Sequence, residues 1–285
     1  MCGSVIMKLQ AMQSSASFVS AWSLPVPILL FCVVLGGLYF GVPGVRAKGR
    51  GASFLTGLFL LALTYISPFD ALARQYLLSA DVVERITAAL FVPWMLAADL
   101  GPSPRLRNPG PAVLAPILAW IAGMGVLAIW YLPSIYNATL AHPALRYTSI
   151  LTSVLAGIWF WLPLVGPNGP GKISPVPAGN WYLLGAAIWC SALGLGLAFA
   201  RPSLLELYDN PPDTFGILSE IRGAFRLTRD ADQQTAGLLF WIGSCTVLLS
   251  GVMLMFYRWY VDESRKTKLA VYAAVEAKKT EGRPS

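Results

Sequence analysis

The sequence predicts an all-α integral membrane protein, a single bundle of about seven transmembrane helices with the N-terminus outside and the C-terminus inside. Three observations predict this fold class. Of the 285 residues 56% are apolar and 12% charged, and the mean hydropathy is +0.60, values outside the range of soluble domains. Long stretches lack any Asp, Glu, Lys or Arg, and breaks rich in Gly and Pro separate them.

The charge-free stretches set the number of predicted spans. They are residues 9–45, 51–69, 86–98, 108–145, 147–171, 173–200 and 233–257. All but one can hold a spanning helix of roughly 17–25 residues. The exception, 86–98, has 13 residues, so the third helix crosses only if it begins near Ser79. It then carries Asp81, Glu84 and Arg85 in its first turns.

Lys and Arg give the predicted orientation. Placing the N-terminus outside assigns 13 of the 21 basic residues to the cytoplasmic side, as the positive-inside bias requires. The predicted domains are an extracytoplasmic segment at 1–20, a seven-helix domain at 21–260 and a cytoplasmic tail at 261–285, with a short solvated helix in the tail. The outer loops are 67–80, which reads as a helix-like re-entry, 133–147 and 201–235. Function is expected on these loops, because binding residues concentrate on loops held by a rigid scaffold.

Composition and motifs exclude several functions. The net charge of +7 has no aromatic-interleaved basic patch, so nucleic acid is not an expected partner. The single histidine, His142, cannot by itself build a multi-histidine haem or copper site. Four cysteines are scattered singly, which favours packing over a disulfide framework or a thiolate metal site. No hydrolase triad order or phosphate-binding loop is present, and we expect no enzyme.

Asp81, Glu84 and Arg85 are the strongest functional candidates from composition alone. Ionisable residues in a span are costly, so they mark either a site or a satisfied ion pair. Asp81 and Arg85 are four residues apart and share a helix face, where they can pair. Such a pair can close the outer mouth of the bundle or bind a partner's loop. An ion pathway is less favoured, because no carboxylate lies mid-span in helices four to seven.

Four runs along the chain carry a family resemblance. They are Tyr65-Ile-Ser-Pro-Phe-Asp-Ala71, Gly157-Ile-Trp-Phe-Trp-Leu-Pro163, Gly194-Leu-Gly-Leu-Ala-Phe-Ala200 and Ala231-Asp-Gln-Gln-Thr-Ala-Gly-Leu-Leu-Phe-Trp241. In order and spacing, over roughly 60–263, they resemble the multi-spanning CtaG-type cytochrome c oxidase assembly factors. The positions that match the family motifs are Ser67, Pro68, Asp70, Trp161, Pro163, Asp232, Gln233, Gln234, Gly237 and Trp241.

Several of these positions also have structural interpretations. Asp232 fits the N-cap of the seventh helix, since its carboxylate can accept from an orphan backbone amide. Trp161 and Trp241 fit packing or interfacial aromatics. The Ser67-Pro68 pair fits a turn that ends the second helix.

The resemblance implies a membrane scaffold or assembly factor for a haem-copper cytochrome c oxidase. Such a protein is expected to act at the periplasmic face of a prokaryotic inner membrane. The expected partners are oxidase subunits or a respiratory complex, and membrane lipid. A permanent accessory subunit of a respiratory oxidase or supercomplex is the alternative, and an ion or small-molecule transporter is less favoured.

The resemblance also identifies what this chain lacks. Family members typically begin the third helix with His-Met-x-x-His, and this chain has Asp81-Val-Val-Glu-Arg85 there. A second histidine pair at the start of the fifth helix corresponds to a place near Tyr147, and His142 comes several positions too early, which leaves it a weak metal candidate. Asp and Glu are hard ligands that match Cu(I) poorly. We therefore predict no cofactor and a loss of copper handling.

Overall fold

The computed structural model describes residues 21–43, 45, 51–100, 114–165, 176–200, 206–209 and 211–281. These residues are largely helical and contain no strand, which confirms the all-α prediction. The helices are α1 (Val26–Gly41), α2 (Ala52–Ile66), α3 (Pro68–Gln75), α4 (Leu78–Ile86), α5 (Val92–Ala98), α6 (Leu114–Trp130), α7 (Pro133–Ala141), α8 (Pro143–Val165), α9 (Val176–Phe199), α10 (Leu218–Gly223) and α11 (Arg229–Glu281). A π turn (Thr87–Phe91) joins α4 to α5, and a 3-10 turn (Glu206–Tyr208) precedes α10.

The described residues contain three to five candidate membrane spans. Helix α8, α9 from Ala178, and α11 as far as Ala270 are each long and apolar enough to cross a bilayer. Two bent pairs, α2 with α3 and α6 with α7, qualify if each pair is one span.

Exposed side chains on the apolar helices, α1 included, have the character of a lipid-facing surface. Val33 and Trp181 are 70% and 72% exposed. Hydroxyl groups bond within their own helix, as where Thr148 Oγ1 donates to the carbonyl of Ala144 at 2.8 Å. A bilayer core offers no water to polar groups, so internal bonding of this kind is required there.

Proline produces the two bends. Ser67 ends α2, and Pro68 opens α3 at an angle of 58°. Pro133 opens α7 at 69° to α6. Proline suits a first helical turn because its missing N–H has no intrahelical acceptor at that position. The helix predicted within 67–80 and the turn at Ser67 are thus confirmed, and 133–147, predicted as a loop, is mostly helical.

The predicted third helix begins at Leu78, next to Ser79, and continues through the π turn to Ala98. Pro93 has no N–H, so the carbonyl of Ala89 has no α-helical donor. The backbone hydrogen bonds here change to the π pattern, in which each spans one residue more than in an α-helix. The indole of Trp161 donates to the neighbouring carbonyl of Leu90 at 3.0 Å. Gly157 makes the approach possible, since a Cβ there would overlap the Ala89 oxygen and lie 2.6 Å from Cγ of Pro93.

Helix α11 is one unbroken element of 53 residues. At 1.5 Å per residue it is about 80 Å long, more than twice the thickness of a bilayer core. The predicted tail helix is therefore a continuation of the last span rather than a separate element; residues 282–285 lie outside the described part.

Helices α9 and α11 cross closely at Gly194 and Gly237. A Cβ on Gly237 would lie 2.6 Å from the backbone nitrogen of Ala198, and one on Gly194 would lie 2.9 Å from that of Trp241. Small residues at such crossings let helix backbones approach and pack. The crossing anchors the first turns of α11 against the rest of the bundle.

Candidate functional site: a buried ion cluster

Arg146, the fourth residue of α8, binds three carboxylates. Its Nη1 donates to Oδ1 of Asp81 at 2.8 Å. Its Nη2 lies 2.8 Å from Oε2 of Glu84 and 3.1 Å from Oδ1 of Asp70. Asp81 also accepts from Nε of Arg85 at 2.5 Å. We call Asp70, Asp81, Glu84, Arg85 and Arg146 the ion cluster.

Helix α7 closes the cluster from a second side. The hydroxyl of Tyr136 donates to Oδ2 of Asp81. Nη2 of Arg85 donates to Oγ1 of Thr139 at 3.0 Å, and its guanidinium lies 4.4 Å from the centre of the Tyr136 ring. On the α3 side, Nε of Arg74 lies 3.0 Å from Oδ2 of Asp70. The cluster therefore ties together α3, α4, α7 and α8.

The ion cluster is buried. Asp81 and Glu84 have no exposed surface, and Arg146 is 6% exposed. Removing one partner of a buried pair costs about 3–5 kcal/mol, because the remaining charge stays out of water. Two buried oxygens, Oε1 of Glu84 and the hydroxyl of Tyr65, have no hydrogen-bond partner among the described residues.

The structure confirms one part of the sequence interpretation and extends it. Asp81 and Arg85 do pair across one helical turn, as their spacing predicts. The pair is part of a buried network, however, which Asp70, Glu84 and Arg146 complete. Sequence reasoning missed Arg146, although it is the only charged residue in 108–171. That isolation in an apolar stretch is a signal that could have identified it.

Asp232 caps a helix, but not the helix that the sequence predicts. Helix α11 begins at Arg229, and Oγ1 of Thr228 accepts from the amide of Ala231 at 3.3 Å. The Asp232 carboxylate accepts instead from the amides of Leu78 and Ser79, at 2.7 and 3.1 Å. These amides lie in the first turn of α4, where donors have no intrahelical acceptor. Asp232 thus caps the helix that carries the ion cluster.

A comparison with family models covers most of the chain. The family model for the cytochrome c oxidase caa3 assembly factor (Caa3_CtaG) matches residues 38–262. The chain belongs to this family. No curated protein and no solved structure matches it.

The remaining motif residues of this family member have definite places in the fold. Gln233 donates from Nε2 to the carbonyls of Leu197 and Ala200, at 3.1 and 2.6 Å, and so satisfies the end of α9. Pro163 is buried in the last turn of α8. Gln234 and Trp241 are exposed, and they are the motif residues in α11 most open to lipid or a partner.

His142, the predicted weak metal candidate, accepts through its backbone carbonyl from the amide of Arg146 at 3.1 Å. It is the exposed residue that joins α7 to α8. Over the described ranges, no group of three or more His, Cys, Asp or Glu residues has an arrangement that could hold a metal ion.

The predicted outer loop 201–235 is described in part, and it packs on α3 and α4. Ile217 and Ile221 pack with Ala73 and Leu77. The hydroxyl of Tyr208 donates to the carbonyl of Ala73 at 2.8 Å. Burial raises the pKa of the Tyr208 hydroxyl, which keeps it a neutral donor. This segment covers the end of the bundle where the ion cluster lies.

Proposed function

We propose that the protein is a non-enzymatic membrane scaffold that assists the assembly of a haem-copper cytochrome c oxidase from the periplasmic face of a prokaryotic inner membrane. Its family membership supports the assembly role. The observation that carries the proposal is the ion cluster, which fixes α3, α4, α7 and α8 into one rigid end. A rigid end of this kind suits a surface that receives oxidase subunits.

The proposed topology has seven spans, with the N-terminus outside. Counting α1 and the helix from Leu78 to Ala98 as spans, beside the three long helices and the two bent pairs, gives that number. Three basic residues lie toward the far end of α11, namely Arg265, Lys266 and Lys268. Asp232, which caps α4, lies at the opposite end of the same helix. The positive-inside bias puts that far end in the cytoplasm. Domains at 1–20, 21–260 and 261–285 follow from this topology.

The proposal includes the loss of the copper ligands. One oxygen of Asp81 contacts the guanidinium of Arg85 and the other contacts that of Arg146. Oε2 of Glu84 also contacts Arg146. Arginine is never a ligand at ordinary pH, and carboxylates suit hard cations better than Cu(I). The residues at this site do not fit a copper ion.

Purification of the oxidase in mild detergent, from cells with and without the protein, tests the assembly role. We expect the oxidase from cells without it to have lower activity and lower copper and haem content per complex. We expect no stoichiometric band of the protein in the mature complex. A stoichiometric band would favour the accessory-subunit alternative. A fully loaded oxidase from cells without the protein would refute the assembly role.

A copper titration of the purified protein tests the loss of ligands. The expected result is no stoichiometric, high-affinity site. One such site that disappears on changing Asp81 or His142 to alanine would overturn this part of the proposal.

Reporter fusions test the topology. A reporter inserted at Asp213 is expected to be active only outside the cytoplasm, and one fused after Ser264 only inside. The opposite pattern would invert the proposed orientation.

A further inference from the structure

A cavity of about 50 Å³ opens beside the ion cluster. It lies where the start of α1, the bend between α2 and α3, and the junction of α7 and α8 meet. Its polar lining includes Tyr65, Asp70, Arg74 and Arg146, and its apolar lining includes Ile28 and Leu140. A single water needs only about 10–15 Å³ of such space, so the cavity has room for a small polar group.

Two acceptor side chains of this lining, Asp70 and Thr139, already have partners. Each carboxylate oxygen of Asp70 already faces a guanidinium, Arg146 at 3.1 Å and Arg74 at 3.0 Å. Oγ1 of Thr139 accepts from Arg85 and donates to the carbonyl of Tyr136. These side-chain acceptors are therefore engaged.

Two side chains of the lining can still donate a hydrogen bond to an occupant. The Tyr65 side chain is 98% buried, yet its hydroxyl has no hydrogen-bond partner among the described residues. Nε of Arg74 lies 3.0 Å from Oδ2 of Asp70, and the Arg74 side chain is 39% exposed. Burying an unpaired hydroxyl costs free energy, so a group that accepts from Tyr65 would be stabilised here.

Charge selects among acceptors. Of the two arginines in the lining, Arg146 is already shared by three carboxylates, whereas Arg74 faces only Asp70 among the described residues. The nearest charges act most strongly on an occupant, because the Coulomb energy falls with distance. Beside the guanidinium of Arg74 an anionic oxygen acceptor is therefore favoured over a cation, and a planar carboxylate matches guanidinium geometry.

We propose that this cavity receives the carboxylate of one acidic side chain from an extracytoplasmic segment of a partner protein. The carboxylate accepts from Tyr65 and Arg74, and its aliphatic stem lies against the apolar part of the lining. For the identity of the partner, an oxidase subunit, this inference rests on the proposed function.

Formate binding to the purified full-length protein in detergent tests the cavity, with the thermal unfolding midpoint as the readout. Formate at constant ionic strength is expected to raise Tm saturably, and chloride is not. Tyr65→Phe and Arg74→Gln should each weaken the apparent affinity about tenfold, through the loss of a charge-assisted hydrogen bond. Tyr65→Phe removes an oxygen that has no partner, so it should fold.

Two exposed residues of α11 provide matched controls. Tyr257→Phe and Arg265→Gln make the same chemical changes away from the cavity and should leave the formate response unchanged. An equal response to chloride and formate, or a wild-type response in Tyr65→Phe, would show that the cavity holds water only and would overturn the inference.

Co-purification separates this inference from the proposed function. We expect Arg74→Gln to capture less of the oxidase subunits than Arg265→Gln does. Equal capture by both variants would overturn the carboxylate inference and leave the assembly role standing. Formate binding without capture of oxidase subunits by the wild-type protein would instead overturn the proposed function and the partner named here.

Discussion

The ion cluster and the π turn lie next to each other on one length of chain, and they solve the same problem with different groups. In the ion cluster, buried charges on α3, α4 and α8 neutralise one another, as Arg146 does for Asp81 and Glu84. In the π turn, Pro93 deprives the carbonyl of Ala89 of its α-helical donor, and Trp161 donates to the neighbouring carbonyl of Leu90. The first system is held by Coulomb attraction between side chains, the second by close approach and one neutral hydrogen bond. Loss of a partner should therefore cost more in the first than in the second.

Arg146→Gln is expected to have the largest effect. The substitution leaves Asp70, Asp81 and Glu84 without their shared cation, and a broken buried pair costs about 3–5 kcal/mol. Unfolding of the purified protein by denaturant, in fixed detergent, measures the loss. Arg222→Gln, at an exposed position on α10, is the control and should change stability little. A loss below about 1 kcal/mol, the size expected of a surface pair, would show that the cluster is not energetically buried.

Gly157→Ala is expected to come next. The new methyl group would overlap the carbonyl oxygen of Ala89, and overpacking of this kind typically costs about 1–3 kcal/mol. Gly125→Ala is the matched control, because a Cβ there meets nothing within 4 Å. Since alanine favours a helix over glycine, the control should be neutral or stabilising. Equal thermal midpoints for the two variants would contradict the close packing of α8 on the π turn.

Trp161→Phe removes the indole donor but keeps most of the ring. The carbonyl of Leu90 then loses a partner in the core, and an unsatisfied buried acceptor costs about 1–3 kcal/mol. The change should also increase hydrogen exchange at the amides of the π turn, which mass spectrometry can follow. If exchange there is unchanged while stability falls, the loss comes from packing alone.

Asp232→Ala is expected to have the smallest effect, about 0.5–2 kcal/mol, the usual worth of a helix cap. Asp230→Ala is the control, because Asp230 is exposed two residues earlier on the same helix. A double-mutant cycle with Ser79→Ala measures the coupling, since the Ser79 hydroxyl donates to Asp232 at 2.5 Å. Additive effects would mean that the Ser79 hydroxyl is not coupled to Asp232, and a loss no larger than that of Asp230→Ala would mean that Asp232 does not cap α4.

Local rules predicted the parts of the site that local geometry decides. The Asp81–Arg85 pair follows from helix periodicity, and the bend at Ser67 follows from proline chemistry. The hydropathy pattern gave the all-α class, because apolar stretches of that length form helices in a bilayer. The pair and the bend depend on residues within about one helical turn of one another, and the class depends on continuous stretches of chain.

Contacts between distant parts of the chain could not be predicted in the same way. Arg146 and Asp81 are 65 positions apart, and only the packing of α8 on α4 brings them together. Asp232 has the right residue type for a cap, yet it caps a helix more than 150 positions away because the first turns of α11 lie beside α4. Charge and residue type show that a partner is needed, but they do not identify it.

Because α11 is one unbroken helix, a rotation at one end moves its other end through a larger distance. Asp232 holds one end of the helix against the start of α4, and about 70 Å of helix lies beyond it. If the rod stays straight, a rotation of about 10° at the capped end moves the other end sideways by roughly 12 Å. A small rearrangement around the ion cluster would therefore produce a large displacement at the far end of α11.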